Sequence, residues 1–418
     1  MNISKNPDLI GDTIVFEDGG NIFLYSQNQK KVARLKELNR ESLEQLKNSG
    51  FFANLSYAIV DPSIKKFSNL MLLLGRNCIM GCIYCYANAG INKELMDQEL
   101  ADRAVALYLS ARPEKPKVTL FGGGEPTLNI KAIKKIIEKY NDKTRWVLTT
   151  CGVISKHFLE WLIIHNVDIG FSIDGPAHIH NYLRPLKSGR PSSHLVENSI
   201  AIWKQKSDKP LTVRTTITAE TVNNIEEILD YFSKLDVQTV HLEALYNLGR
   251  VALNEHNFDL KQPSLSEWIN AFIKALEWGK RTNRKVKVGA LSYLFNPSSL
   301  SYCGPMSGRT IVVNHQGFLT ACSEVVDDTD KDWDKFCIGK INNRLEINEQ
   351  KFSDLAKLTI NEISDCQKCF ARYICRGGCA HKRFSENGDL KIPDQRNCEL
   401  VKTMIPILVK RMATGFYL

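Results

Sequence analysis

The stretch CIMGCIYC, residues 78–85, follows the apolar segment Leu70 to Leu74 in the longer sequence NLMLLLGRNCIMGCIYC. Its cysteines, Cys78, Cys82 and Cys85, have the spacing CxxxCxxC. Three thiolates are one fewer than a closed structural zinc site uses, whereas a four-iron cluster held by three cysteines keeps one iron open for a further ligand. The spacing therefore favours such an iron–sulfur cluster, and a zinc site with a distant fourth ligand is the alternative.

Outward from this stretch, apolar segments of strand length alternate with amphipathic helical segments. The predicted strands are Leu70 to Leu74, Val118 to Phe121, Trp146 to Thr149, Ile169 to Ser172, Leu211 to Ile217 and Thr239 to Leu242. The predicted helices lie at about 98–111, 130–140, 155–166, 195–206 and 223–234, with a further one near 265–280. Six repeated strand and helix units predict an α/β fold, a partial (β/α)6 TIM-like barrel with a parallel sheet.

Further motifs stand at the carboxyl ends of the predicted strands, where sites lie in such sheets. They are GGGEP at 122–126, SIDGP at 172–176 with Arg184 and Pro185 beyond it, and Arg214 on the fifth strand. A glycine run lets the main chain approach a ligand closely, and a guanidinium pairs with a carboxylate through two hydrogen bonds. Taken singly, each motif could also be an ordinary turn or a solvated strand residue.

Together with Tyr84, the aromatic residue before the third cysteine, these motifs resemble the radical S-adenosylmethionine (radical SAM) superfamily. The resemblance implies that Cys78, Cys82 and Cys85 hold a [4Fe-4S] cluster that binds S-adenosylmethionine. It implies reductive cleavage of that cofactor to a 5′-deoxyadenosyl radical, which removes hydrogen from an unactivated C–H bond. It also implies a set of residues that contact the cofactor: Tyr84, Gly123, Gly124, Glu125, Ser172, Asp174 and Arg214. The sequence identifies no catalytic acid or base.

The last quarter of the chain is dense in cysteine. Eight of the twelve cysteines lie between residues 303 and 398: Cys303, Cys322, Cys337, Cys366, Cys369, Cys375, Cys379 and Cys398. The N-terminus has no secretory leader pattern and the chain has no apolar run of membrane-spanning length, so we expect a cytoplasmic protein. In a reducing compartment, clustered cysteines indicate metal or cluster ligands rather than disulfides.

The order of these cysteines resembles the seven-cysteine SPASM domain, which carries auxiliary iron–sulfur clusters in radical SAM enzymes. The resemblance implies a distal cluster on Cys366, Cys369, Cys375 and Cys398, and a proximal cluster on Cys303, Cys322 and Cys379. Many relatives have an eighth cysteine where Arg309 stands in this sequence. The proximal cluster therefore either has an open iron or recruits Cys337, which could equally be a core residue of a strand. Three [4Fe-4S] clusters are expected in all.

The sequence predicts four regions: an N-terminal appendage at 1–65, a radical SAM partial barrel at 66–262, a helical linker at 263–302 and a SPASM domain at 303–418. Within the appendage, a hairpin over Thr13 to Tyr25 and a helix over Arg40 to Asn48 could bind a leader peptide as an added strand, or could be a structural cap.

The resemblance implies a maturase that crosslinks, oxidises or forms a thioether in a ribosomally made precursor peptide. The alternatives are an anaerobic sulfatase-maturating enzyme, which makes formylglycine, and another SPASM protein-modifying dehydrogenase. The expected partners are a peptide or protein substrate and an electron donor of the flavodoxin or ferredoxin type. The net charge, 55 − 46 = +9, is modest for 418 residues, so neither nucleic acid nor membrane is expected as a partner. A zinc-stapled scaffold or nucleic-acid-binding module is the non-enzymatic alternative.

Overall fold

A computed structural model describes residues 7–27, 29–52, 67–253, 260–288, 291 and 301–415. The chain divides into two compact units. The first unit consists of Met1–Asp61, Lys287–Cys303 and Ala356–Leu418. The second unit consists of Pro62–Val286 and Gly304–Leu355.

The strands are β1 (Asp8–Ile10), β2 (Thr13–Asp18), β3 (Asn21–Ser26), β4 (Lys31–Leu35), β5 (Asn69–Gly75), β6 (Lys117–Gly123), β7 (Arg145–Thr150), β8 (Asp168–Ser172), β9 (Thr212–Ile217), β10 (Thr239–Ala244), β11 (Lys285–Val288), β12 (Thr310–Val313), β13 (Phe318–Thr320), β14 (Cys337–Ile341) and β15 (Leu345–Ile347).

The helices are α1 (Arg40–Asn48), α2 (Gln98–Ser110), α3 (Ile130–Tyr140), α4 (Lys156–Ile164), α5 (Ala177–Leu183), α6 (Ser193–Lys206), α7 (Ile225–Lys234), α8 (Arg250–Leu253), α9 (Leu265–Thr282), α10 (Trp333–Phe336), α11 (Glu349–Ala356), α12 (Ser364–Gln367), α13 (Arg372–Cys375), α14 (Ala380–Asn387) and α15 (Gln395–Ala413). None of the described helices combines the length and the apolar character that a bilayer-spanning helix needs.

The centre of the second unit is a parallel sheet. Strands β5 to β10 pair in chain order, each parallel to the next, and helices α2, α3, α4, α6 and α7 lie on the connections between them. Every strand and crossover helix predicted for this region is found within a few residues of its expected bounds. The predicted α/β fold with a partial (β/α)6 barrel is confirmed.

Side chains alternate between the two faces of this sheet. Along β9, Val213, Thr215 and Ile217 are buried, whereas Arg214 and Thr216 are only partly buried. On the neighbouring β8, Phe171 is fully buried and packs edge-on against Trp203 of α6, with the ring centroids 6.0 Å apart. The buried row therefore faces the helices, and the polar row lies on the opposite face of the sheet, as the period of two in a strand requires.

The sheet extends beyond β5 to further strands, an extension that the sequence did not predict. Strand β12 pairs in parallel with β5, and β13, β14 and β15 follow in antiparallel order. Residues 304–355 consequently belong to the same compact unit as the barrel strands, although the predicted boundary at 303 separates them. These strands have only three to five residues, which is too short for periodicity to identify.

The first unit contains a four-stranded antiparallel sheet in the order β1-β2-β3-β4, with its own apolar core of Val15, Ile22, Leu24, Leu46 and Phe51. The predicted hairpin and helix are present here. Helix α15 packs against β3 and β4, and its Lys410 Nζ lies 3.0 Å from the Asp18 carboxylate. The N-terminal sheet and the last helix of the cysteine-rich region are therefore parts of one compact unit.

Candidate functional site

The cysteine loop, residues 76–90, leaves the carboxyl end of β5 and contains Cys78, Cys82 and Cys85. Main-chain hydrogen bonds attach it to the segment after α5. The Gly81 N–H donates to the Pro185 carbonyl at 2.8 Å, and the Ile83 N–H donates to the Leu183 carbonyl at 3.0 Å. The segment around Arg184 and Pro185, which follows the SIDGP motif in the sequence, thus supports the loop directly.

Arg250, the first residue of α8, holds the same loop from another side. Its Nη1 donates to the Cys82 carbonyl at 2.7 Å and its Nε donates to Asn88 Oδ1 at 2.9 Å. Its Nη2 donates to the Ala89 carbonyl, and its main-chain N–H donates to the Cys85 carbonyl at 3.0 Å. Sequence reasoning missed this residue, because an arginine in a loop after the sixth strand carries no distinctive signal.

Arg76, at the start of the cysteine loop, was also missed. Its Nε lies 2.7 Å from Asp327 Oδ2 and its Nη2 lies 2.6 Å from Asp330 Oδ2, while Nη1 donates to the Ala87 carbonyl at 2.6 Å. Burial alone would raise the pKa of Asp327, but hydrogen bonds from Arg76 hold that pKa below its usual value. This buried pair connects the cysteine loop to the segment between β13 and β14.

The three thiols are partly buried and close to other charged groups. Burial raises the pKa of Cys82 to about 11, although the guanidinium groups of Arg184 and Arg250 act in the opposite direction. Burial and the neighbouring Cys82 raise the pKa of Cys78 further still. Burial therefore favours the neutral thiol at Cys78 and Cys82, and metal binding deprotonates such thiols.

The spacing of the thiols fits a cluster better than a single zinc ion. The sulfur atoms of Cys78, Cys82 and Cys85 do not all lie within 4.8 Å of one another. Sulfur ligands in a tetrahedral zinc site would lie roughly 3.8 Å apart, since each Zn–S bond is about 2.3 Å. The Met80 N–H donates to Cys78 Sγ and the Ala89 N–H donates to Cys85 Sγ, both at 3.4 Å, so the loop backbone also orients two of the three thiols.

Asp174 is fully buried and brings together elements from three parts of the second unit. Its carboxylate accepts hydrogen bonds from the Tyr84 hydroxyl, from Arg184 Nε at 2.8 Å and from the Thr216 N–H at 3.0 Å. Tyr84 and Asp174, both predicted to contact the cofactor, are therefore bound to each other. Their contact ties the cysteine loop to the ends of β8 and β9.

His180 of α5 contacts this network through the main chain of Asp174. Its Nδ1 accepts the Asp174 N–H at 3.3 Å, which leaves the proton of the neutral ring on Nε2. Burial lowers the pKa of His180 to about 4, with Asp174 opposing the shift and Arg184 adding to it. The ring is therefore neutral near pH 7.

Glu125 is buried, and its carboxylate accepts hydrogen bonds from Thr127, Thr150 and Cys151. Its Oε1 accepts from the Thr127 N–H and hydroxyl and from the Thr150 hydroxyl, and its Oε2 accepts the Cys151 N–H at 2.7 Å. Glu125 thus joins the GGGEP motif to the carboxyl end of β7. With one donor on Oε2, that oxygen keeps acceptor capacity for a ligand.

The glycines before Glu125 bring the motif close to the cysteine loop. Gly123 is in register with Gly75 at the end of β5. A Cβ on Gly124 would lie 2.0 Å from the Asn77 carbonyl oxygen, so no other residue fits there without moving the main chain. The predicted approach of the GGGEP main chain to the cluster site is therefore a close packing contact with that loop.

Ser172 and Arg214 are register partners at the ends of β8 and β9, and Arg214 is in turn opposite His241 of β10. Arg214 is partly buried on the polar face of the sheet. Across the part of the chain that the structure describes, its guanidinium makes no hydrogen bond or ion pair. A half-buried cation in that state is suited to binding an anionic group such as a carboxylate.

The four predicted ligands of the distal cluster, Cys366, Cys369, Cys375 and Cys398, lie together in the first unit. Burial, with the neighbouring Cys398 and Cys369, raises the pKa of Cys366 to about 11. No three of the four sulfur atoms all lie within 4.8 Å of one another. The side chain of Asn397 donates from Nδ2 to Cys375 Sγ at 3.3 Å, a contact that the sequence gave no reason to expect.

The remaining cysteines are distributed differently. Cys303 and Cys379 belong to the first unit, whereas Cys322 and Cys337 belong to the second. The thiol of Cys337 donates to the Gly339 carbonyl at 3.9 Å, and burial raises its pKa, with Lys351 and Asp334 as its charged neighbours. These contacts all lie within the second unit.

Three comparisons with known proteins bear on this geometry. Residues 72–235 match the model of the Radical SAM superfamily. The cysteine-type anaerobic sulfatase-maturating enzyme of Clostridium perfringens is 26% identical over 341 residues, 74% of this chain and 87% of that protein. A structure of native anSMEcpe with bound AdoMet matches with a TM-score of 0.65 at 20% identity, covering 84% of this chain and 100% of that one. SuiB of Streptococcus suis bound to the precursor peptide SuiA matches with a TM-score of 0.59 at 12% identity, covering 94% of this chain and 100% of that one.

The region with the cysteine loop and the strand-end motifs, residues 72–235, therefore matches the Radical SAM superfamily, as those motifs predicted. The two structural matches share the fold of this chain.

Proposed function

We propose that this protein is a radical SAM maturase that uses S-adenosylmethionine and three [4Fe-4S] clusters to oxidise or crosslink a peptide or protein. The observation that carries the proposal is the pair of separate thiol sets, one at the carboxyl end of β5 and one in the first unit, each too widely spaced for a single zinc ion. An electron donor of the flavodoxin or ferredoxin type would reduce the first cluster.

The residues of the cysteine loop have distinct tasks in this proposal. Cys78, Cys82 and Cys85 would hold the first cluster, while Arg250 and the Asp174 network hold the loop in place. When bound, S-adenosylmethionine at an open iron supplies the radical that removes a hydrogen atom from an unactivated C–H bond. Arg214 would bind the cofactor carboxylate, because its guanidinium makes no hydrogen bond or ion pair with the described residues.

Glu125 has a narrower role than its motif implies. Because four protein donors already bind its carboxylate, it would add at most a contact through Oε2 to the cofactor amino group. Its main task is to hold Thr150 and Cys151 against the second strand. Tyr84, Ser172, Gly123 and Gly124 would shape the rest of the site.

The second thiol set supports an oxidative reaction. Cys366, Cys369, Cys375 and Cys398 would hold a cluster able to take up the electron that a substrate radical loses when a new bond forms. The remaining cysteines of the seven-cysteine pattern would hold the third cluster. Such a pair of clusters suits crosslinking, thioether formation or oxidation of a side chain.

A ribosomally made precursor peptide is the substrate that we favour. The N-terminal sheet offers the edge strands β1 and β4, to which an extended leader peptide could pair. The structural match to SuiB with its precursor peptide covers 94% of this chain and leaves about 25 of the 418 residues uncovered. Because the predicted appendage has 65 residues, the match extends into that segment.

A sulfatase is the second candidate substrate. The Clostridium perfringens relative is named as a sulfatase-maturating enzyme and is the more similar of the proteins compared above. In that case the product would be formylglycine made from a cysteine of the sulfatase.

The experiment that tests the proposal is an assay of iron, sulfide and zinc per chain after anaerobic purification and reconstitution. We expect about twelve irons with matching sulfide, which corresponds to three four-iron clusters. About four irons per chain would be consistent with the first cluster alone and would contradict the two auxiliary clusters of the proposal. Zinc without iron would overturn it.

The two substrates are distinguished by mass spectrometry of the product. The reconstituted enzyme is incubated with S-adenosylmethionine, dithionite and either a precursor peptide encoded beside the gene or a sulfatase peptide with its cysteine. Loss of two hydrogens without loss of sulfur indicates a crosslink. An aldehyde in place of the thiol indicates sulfatase maturation.

A further inference from the structure

Arg383, in α14 of the first unit, is a buried cation without a visible counter-charge. The residue is 2% exposed, and its Nε and Nη1 atoms are buried with no hydrogen-bond partner among the described residues. A guanidinium stays charged in proteins, and a buried charge is normally paired or hydrogen-bonded. The two open donors therefore point to an anionic group that binds beside them.

The groups around this guanidinium are thiols. Burial lowers the pKa of Arg383, and the groups that raise it are Cys366, Cys379, Cys375 and Cys303, all in the same unit. In the neutral form, none of these thiols balances a positive charge. They do so once they are deprotonated on binding metal.

Local geometry fixes the guanidinium in this position. Helix α14 begins directly after Cys379, and the Arg383 N–H donates to the Cys379 carbonyl at 3.1 Å, which sets the arginine one turn beyond that cysteine. On the other side, a Cβ on Gly377 would lie 3.3 Å from Arg383 Nη1 and 2.8 Å from a methyl carbon of Ile363. The glycine in the sequence CRGGC thus leaves room for the arginine beside the cysteines.

We propose that Arg383 is the built-in counter-charge of an auxiliary iron–sulfur cluster held by the cysteines of the first unit, and that it raises the reduction potential of that cluster. This inference rests on the proposed function, since it needs the auxiliary cluster to be present. Four thiolates on a dipositive four-iron core leave a net negative charge, which the open Nε and Nη1 donors would face. Hydrogen bonds and charge near the sulfurs are the means by which proteins set such potentials.

The direction of the effect follows from charge. Reduction adds an electron to an already negative cluster, so a neighbouring cation favours the reduced form. Removing the cation should lower the ratio of reduced to oxidised cluster at a given potential by about tenfold, which is a shift of about 59 mV to lower potential for a one-electron couple.

The test uses the full chain with the first cluster removed by Cys78→Ala, Cys82→Ala and Cys85→Ala, so that only auxiliary clusters give a signal. Arg383→Met removes the charge and keeps the length, and Arg383→Lys keeps the charge. Arg40→Met, at a side chain 94% exposed on α1, is the matched control. Iron and sulfide per chain and the midpoint potentials by electron paramagnetic resonance are measured for each.

The inference predicts a lowered potential or a reduced iron content in Arg383→Met, with values near those of the parent in Arg383→Lys and Arg40→Met. Unchanged iron and potential in Arg383→Met would overturn it. Equal loss of iron in the Met and Lys variants would also overturn it, because the shape of the guanidinium would then matter and its charge would not. If the parent itself held no iron, the auxiliary clusters of the proposed function would fail, which is a separate result.

Discussion

Arg250 Nη1 donates a hydrogen bond of 2.7 Å to the carbonyl oxygen of Cys82, a residue 168 positions earlier in the chain. The same guanidinium also binds Asn88 and Ala89, so one side chain fixes both halves of the cysteine loop. The loop that would hold the first cluster is therefore ordered by a contact from the far end of the barrel.

Arg250→Met should weaken the binding of the first cluster. A hydrogen bond from a charged donor contributes about 1.5–3 kcal/mol, so losing even one should shift the ordered loop conformation by roughly tenfold or more. We expect slower iron uptake and faster iron loss to a chelator, measured by absorbance after anaerobic reconstitution. Arg281→Met, at an exposed arginine in the last turn of α9, is the control. Equal iron retention in both variants would show that Arg250 does not hold the loop.

Asp174→Asn should strongly destabilise the second unit. The carboxylate is fully buried and pairs with Arg184, whose side chain is 12% exposed. Removing one partner leaves the other charge buried, which costs about 3–5 kcal/mol. Since each kcal/mol lowers the melting temperature of a domain of this size by about 2–4 °C, we expect a fall of roughly 6–20 °C by calorimetry.

Asp168→Asn is the matched control for this change. Asp168 pairs with Arg145 and Lys209, but the Arg145 side chain is 70% exposed. Surface ion pairs contribute at most about 1 kcal/mol. A fall in melting temperature for Asp174→Asn no larger than that of the control would contradict a structural role for the Asp174 network.

His180 should make the second unit less stable in mild acid. Its pKa is lowered to about 4 in the folded protein from the ordinary 6.5, chiefly by burial. Above pH 6.5 the ring is neutral in both the folded and the unfolded chain, so it does not change the free energy of unfolding with pH. As the pH falls from 6.5 toward 4, the unfolded chain binds a proton that the folded chain does not, so stability falls by about 1.4 kcal/mol per pH unit. Below pH 4 the loss levels off.

Denaturant unfolding measured between pH 4 and pH 8 checks this expectation. His180→Asn, whose side-chain carbonyl can accept the Asp174 N–H, should flatten the pH dependence in that window. His194→Asn, at an exposed histidine, should leave the dependence as in the parent. An equal pH dependence in the parent and His180→Asn would assign it to other groups.

Cys82→Ala should abolish cleavage of S-adenosylmethionine, because it removes one of the three proposed ligands of the first cluster. Cys398→Ala should retain uncoupled cleavage but form no modified product, because it removes a proposed ligand of the distal cluster alone. Chromatography of 5′-deoxyadenosine and mass spectrometry of the substrate measure the two outcomes. Equal loss of cleavage in both variants would mean that the cysteines of the first unit are needed only for folding.

The local pattern of the sequence predicted the barrel well. Strands β5 to β10 and helices α2 to α4 were found because their apolar residues repeat at periods of 2 and 3.6, which depend only on neighbours along the chain. Cys78, Cys82 and Cys85 were identified for the same reason, since their spacing is a property of one short loop.

The division into units could not be predicted in this way. Strands β12 to β15 extend the barrel sheet, and α15 packs on β3 and β4 of the N-terminal sheet. Both pairings join segments that are hundreds of residues apart. In addition, strands β12 to β15 have too few side chains for an alternating pattern to be distinguished from an irregular segment.

By itself, the sequence determined the fold of the barrel, the cysteine sets and the chemistry that they favour. Only the tertiary structure decided which arginine side chains lie beside the cysteine loop and the cysteines of the first unit. Arg76 binds Asp327, which lies 251 positions later in the chain, and Arg250 binds the carbonyl of Cys82, which lies 168 positions earlier. Arg383 is buried only because the first unit packs around it. The physical reason is that periodicity and spacing record local geometry, whereas the partner of a charge depends on which distant segments the folded chain brings within hydrogen-bonding distance.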